Sequence, residues 1–126
     1  MAKPLRSYLK LLAVLTIVSC VAQLAFPAEL GAVSAWGVAR GWQHEIAFWN
    51  IAMYVVIART LRANDAVAAR TVTIALVVLQ LLAATNHGIA AMHDRAPLNA
   101  MMCVVNYGCV AFGAFALRTR AAATPS

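Results

Sequence analysis

The chain has 126 residues, of which 63% are hydrophobic and only 11% charged. A soluble domain carries about 25% charged residues, so this chain is too poor in charge to cover a water-facing surface, and lipid is the expected solvent. The length suits one domain, residues 1–120 with a disordered tail at 121–126, and the net charge of +6 needs an account other than nucleic acid, which its distribution supplies.

A hydrocarbon core of about 30 Å needs about 20 mainly apolar residues in a helix. The first such span covers about residues 7–26, "SYLKLLAVLTIVSCVAQLAF", and stops at Pro27. Within it, "IVSC" at 17–20 fits a bacterial lipobox, but "VAQLAF" carries the apolar run past Cys20, so an uncleaved helix is expected rather than a lipidated N-terminus. The segment 27–43, "PAELGAVSAWGVARGWQ", is expected to lie along the outer surface, with Trp36 and Trp42 at the interface. Gly37 and Gly41 have G-x-x-x-G spacing but stand outside an apolar span, so they predict no helix dimer.

The second span is about 44–61, "HEIAFWNIAMYVVIARTL", and the third about 71–92, ending in "NHGIAAM" before His93 and Asp94. The fourth is about 98–117, "LNAMMCVVNYGCVAFGAFAL". Lys3, Arg6, Lys10, Arg59, Arg62, Arg70, Arg118 and Arg120 sort to one side of these spans, against Arg40 and Arg95 on the other. Eight against two is a strong positive-inside bias. Both termini are therefore expected in the cytoplasm, and the basic character is topological, with no nucleic-acid partner. The expected location is the plasma membrane, the inner membrane of a bacterium.

At about 100° per residue, each span carries one polar stripe. Thr16, Ser19 and Gln23 share a face of the first span; Gln43, Ala47, Asn50 and Tyr54 one of the second. Thr73, Gln80, His87 and Asp94 recur every seven residues in the third, and Asn99, Cys103, Asn106 and Gly113 align in the fourth. Polar side chains facing lipid would lose their hydrogen bonds to water without replacement, so the stripes should face one another. The fold class expected is all-α, an integral membrane antiparallel four-helix bundle with a partly polar interior. By the helical rise, His87 lies roughly 8 Å inside the outer end of its span, Asn50 and Ser19 roughly 9–10 Å, and Asn106 roughly 12 Å. The strongest polar groups thus share the outer half, as a small pocket open to the outside or a hydrogen-bonded helix clamp would require.

His87 is the main candidate residue, because ionisable groups within spans often mark a site. It is read either as a proton donor or acceptor or as a neutral partner of Asn106 or Asn50. Ligand-binding candidates are His87, Asn50, Asn106, Gln80, Tyr54, Ser19 and Gln23; His44, Glu45, His93 and Asp94 would stand at the pocket mouth. Phe48, Trp49, Tyr54 and Tyr107 offer aromatic surface to a lipid-like or quinone-like molecule. The three histidines do not converge as haem ligands, a surface zinc or copper site would have to use His44, His93 and Asp94, and no metal is assigned. No H-E-x-x-H, phosphate-binding glycine loop or Ser-His-Asp arrangement is readable, and no cofactor is identified. Cys20, Cys103 and Cys109 form no C-x-x-C pair and read as small apolar residues, with no Cys20–Cys103 disulfide expected.

The size, four spans and polar interior near "NHGIAAMHD" and "HEIAFWN" resemble the small four-helix membrane proteins grouped as DoxX-like. The resemblance implies a companion of membrane oxidoreductases, in a redox-linked or accessory role, and carries over no catalytic residue. Two main functions follow. One is a bundle whose outer pocket binds a small apolar or amphipathic ligand or supports a membrane enzyme, alone or as a homo-oligomer. The other is an enzyme using His87 as acid or base with Asn50 and Asn106 orienting a substrate; an assembly subunit without ligand is the third. A transporter is not indicated, since no pair of broken helices is present.

Overall fold

The computed structural model describes residues 1–119. The expected tail at 121–126 and Arg120 lie outside the described residues. Those described form five helices and no strand: α1 (Lys3–Ala25), α2 (Pro27–Ala32), α3 (Arg40–Ala63), α4 (Ala66–Asp94) and α5 (Pro97–Arg118). All except α2 are long and apolar enough to cross a membrane, which makes this a small multi-pass membrane protein.

Each long helix runs past the apolar stretch legible in the sequence. The added residues include Lys3, Arg6, Arg40, Arg62, Arg70, Asp94 and Arg118. Hydropathy marks the length matched to hydrocarbon, whereas the backbone ladder continues into charged turns until a local signal stops it. Pro27 stops α1, because a proline disfavours helical geometry in the residue before it, and Phe26 leaves the helix at φ −128°. Asn64 ends α3 in the left-handed conformation, φ 53°. Asp65 then opens α4 by accepting a hydrogen bond from the Val67 N–H at 2.8 Å. Arg95 (φ 49°) closes α4 the same way, and Pro97 starts α5 at a position where its missing N–H costs nothing.

The segment between α1 and α3 is compact. It contains α2, turns at Ser34–Gly37, and reaches α3 at Arg40 rather than at residue 44. Gly31 makes the fold-back feasible, since a Cβ there would lie 2.8 Å from both the backbone N and the Cα of Val38. The Leu98 N–H donates to the Val33 carbonyl at 3.3 Å, which ties this segment to the start of α5.

α1 packs chiefly along α3 and α4 along α5, while α1 also touches α4 and α5, and α3 touches α4. One apolar core joins Leu5, Tyr8, Leu9 and Leu12 of α1 to Ile57 of α3, Ala69 and Leu76 of α4, and Cys109 and Ala116 of α5. Gly113 admits the closest approach in this core. A Cβ there would collide with Val77 Cγ2 and come within 2.9 Å of Tyr8 Cζ. At the same end, Arg70 Nη1 donates to the Leu117 carbonyl at 3.0 Å, placing a cation on the last turn of α5.

Outward faces are apolar along all four long helices: Val14, Val18, Val55, Val78, Leu82 and Val104 are among the exposed side chains. In water this would be an aggregating surface; in a bilayer it is the surface that meets acyl chains.

Candidate functional site

The stripes read from the sequence contain most of the buried polar groups. Thr16, Gln43, Thr73, Asn99 and Asn106 are buried, and Ser19, Gln23, Asn50, Gln80 and His87 are half-buried. Asn86, adjacent to His87, is exposed. His44, Glu45, His93 and Asp94, the expected mouth residues, are all exposed.

The structure gives His87 a different partner from those considered in the sequence. Its Nδ1 lies 3.2 Å from Nδ2 of Asn99, on the first turn of α5, and neither Asn106 nor Asn50 hydrogen-bonds to it. Asn99 is only 1% exposed. Its Oδ1 accepts the backbone N–H of Ala35 at 2.8 Å, so the same amide holds both the histidine and the α2–α3 segment. The segment in turn brings Trp36 over the imidazole, with ring centroids 4.9 Å apart and planes inclined by 49°. His87, Asn99 and Trp36 thus form one cluster from α4, α5 and the returning loop.

A second polar seam joins α1 to α3. Asn50 Nδ2 donates to Ser19 Oγ at 3.0 Å and also to the Ile46 carbonyl at 3.0 Å. Nearer the loop, Gln43 Nε2 donates to the Pro27 carbonyl at 2.8 Å, fixing α3 against the break after α1. Five buried polar atoms have no hydrogen-bond partner among the described residues: the Tyr8 hydroxyl, Thr73 Oγ1, and the side-chain oxygens of Gln23, Gln43 and Gln80. Gln23 and Gln43 belong to the α1–α3 seam, whereas Tyr8 lies in the apolar core near the other end of the helices.

Tyr54 does not join either cluster. It is exposed and lines an open apolar groove with Lys10, Val14, Ile17, Val18 and Leu61 on the outside of the α1–α3 pair. Phe48 and Trp49 are likewise exposed, at 60% and 72%. Cys20, Cys103 and Cys109 are free thiols. Cys103 packs close to Gly88, where a Cβ would stand 3.2 Å from its sulfur, one residue beyond His87. Among the described residues, no three His, Cys, Asp or Glu side chains gather into a metal-binding group.

Two members of the histidine cluster had weaker signals in the sequence. Asn99 stands on the correct face of its span but only two residues past Pro97, where a cap or a turn is the ordinary role. Trp36 has the position of an interfacial anchor. Their convergence depends on the fold-back of the α2–α3 segment, which Pro27 and Gly31 permit but helical periodicity does not encode. Compared with known family models, curated proteins and solved structures, the chain matches none.

Proposed function

We propose that this protein is a plasma-membrane antiparallel four-helix bundle with both termini in the cytoplasm, and that its outer end receives a small amphipathic ligand at His87. The observation that carries this reading is the His87–Asn99–Trp36 cluster. A histidine within a membrane span is held by a 1%-exposed asparagine and faced by an aromatic ring contributed by the loop. Ionisable groups in spans are costly enough to mark function, and this one is half-buried. The unpartnered oxygens of Gln23 and Gln43 support a polar outer end. The resemblance to DoxX-like proteins supports an accessory role beside a membrane oxidoreductase.

Catalysis by His87 as acid or base is the alternative, and it draws less support. Asp94 and Glu45 are exposed, and no carboxylate hydrogen-bonds to the imidazole among the described residues. A purely structural clamp is favoured by one observation, the Ala35–Asn99–His87 chain of hydrogen bonds. Native mass spectrometry of the purified protein and of His87→Ala separates these readings. A ligand site predicts a co-purifying molecule that is lost in the variant, together with the fall in unfolding temperature expected from the unpaired Asn99 amide. A clamp predicts a lowered unfolding temperature and no bound molecule in either form. A His87→Ala protein that is stable and still carries the same molecule overturns the proposal.

A further inference from the structure

The hydrogen bonds around Asn99 determine which nitrogen of His87 carries the proton. A backbone N–H can only donate, so the Asn99 atom 2.8 Å from the Ala35 nitrogen is the amide oxygen. The amide nitrogen therefore faces His87 Nδ1 at 3.2 Å, and it too can only donate. Nδ1 must accept with its lone pair. In the neutral imidazole the proton then resides on Nε2.

Nε2 has no hydrogen-bond partner among the described residues, and it is not one of the sealed polar atoms. It is a pre-oriented donor on a ring whose centroid lies 4.9 Å from that of Trp36. The charged groups and other histidines at this end of the helices are Glu29, Arg40, His44, Glu45, His93, Asp94 and Arg95, all exposed; of the thiols, Cys20 is buried and Cys103 half-buried beside Gly88, and none of these groups forms a hydrogen bond with the imidazole. A single neutral donor in a half-buried position suits an uncharged acceptor, because an ion drawn from water would lose more solvation than one hydrogen bond returns.

We propose that His87 recognises an uncharged amphipathic molecule through a carbonyl oxygen, which accepts the Nε2–H while an apolar or ring portion lies against Trp36. This deepens the ligand-site reading above and rests on it. The same chemistry has two sources in a bilayer, the ester carbonyl of a phospholipid and the carbonyl of a membrane-soluble quinone.

The test is solution NMR of the full chain with ¹⁵N-labelled histidine in nanodiscs at about pH 8, where an ordinary histidine is neutral. His87→Gln identifies the His87 signals against those of His44 and His93. Three disc compositions are compared: ether-linked phosphatidylcholine, ester-linked phosphatidylcholine, and the ether-linked lipid with a decyl-tailed benzoquinone. The two-bond coupling pattern is expected to show the Nε2–H tautomer in all three. The Nε2–H resonance should move in the ester disc if the source is lipid, or in the quinone disc if it is not, with Nδ1 nearly unchanged. Asn99→Leu should yield mixed tautomers and weaken the quinone or lipid response about twofold, because only the Nε2–H fraction can donate. An Nδ1–H tautomer in the unsubstituted protein overturns the inference while leaving the ligand-site reading to the co-purification experiment. An Nε2–H tautomer with no response in either carbonyl-bearing disc overturns the assigned ligand class.

Discussion

Asn99 has both ends of its amide committed, one to a loop N–H and one to a ring nitrogen. Its removal therefore leaves two groups to find new partners. Ala35 N–H loses an acceptor in a part-buried position, and a donor left unsatisfied costs about 1–3 kcal/mol. Asn99→Ala is expected to lower stability by that order, read as the midpoint of thermal unfolding in detergent. It should also loosen the segment that carries Trp36, read as faster cleavage between residues 33 and 39 by a low dose of protease. Asn106→Ala is the comparison: Asn106 is as well buried as Gln43 but has no side-chain hydrogen bond among the described residues, so its replacement leaves cleavage of that segment unchanged. At this scale the sequence was informative about faces and poor at partners. Counting residues from the ends of spans treats helices as parallel rods that begin at one plane. His87 and Asn99 are 12 residues apart across the α4–α5 hairpin, and no depth count along separate helices brings them to 3.2 Å.

Between elements, the contact of α5 with α1 and α4 depends on a missing side chain. Gly113 lies where a methyl group would meet Val77 and the Tyr8 ring, and the Tyr8 ring is itself held edge-on against Phe112 at 5.7 Å. Gly113→Ala is expected to destabilise the protein by about 1–3 kcal/mol, because the core around it is closed and the rings must shift. Gly108, on the same helix, has nothing within 4 Å of its would-be Cβ. Gly108→Ala should be neutral or stabilise the helix by up to about 1 kcal/mol, since it removes only backbone freedom. Urea or thermal titration of both variants in the same detergent reads the contrast directly; equal effects would mean that α5 does not pack on α1 and α4 through Gly113. The sequence marks Gly113 as a residue of the inner stripe, which its zero-sized side chain and helical spacing make legible. Helix ends were less so, because charged turns such as Lys3–Arg6 and Ala66–Arg70 belong to the helices without belonging to the hydrocarbon.

For the whole molecule, the same hydrogen bonds sort the helix ends into two groups. The Gln43–Pro27, Ala35–Asn99 and His87–Asn99 contacts gather the end of α1, α2, the start of α3, the end of α4 and the start of α5. Arg70 bonded to Leu117 and the Leu5–Ala116 core gather the opposite ends. Lys3, Arg6, Lys10, Arg59, Arg62, Arg70 and Arg118 belong to that second group, whereas Arg40 and Arg95 belong to the first. By the positive-inside rule this sorting supports the proposed topology, in which the His87 cluster is expected to face outward. Labelling of intact cells with a membrane-impermeant maleimide tests this. The three native cysteines are first replaced by alanine, which suits the buried, apolar surroundings of Cys20 and Cys109 better than serine. Single cysteines are then introduced as Arg95→Cys, in the α4–α5 connection, and Asn64→Gly with Ala63→Cys, in the α3–α4 connection, which keeps the left-handed position at residue 64. Neither change touches Lys3, Arg6, Lys10, Arg59, Arg62, Arg70 or Arg118, so the charge bias expected to set the orientation survives the probe. The Arg95→Cys protein is expected to label on intact cells, and the Ala63→Cys protein only after permeabilisation. The reverse pattern would turn the His87 cluster toward the cytoplasm, where a ligand from the outer leaflet has no access to it, and the proposed function would fail with the topology.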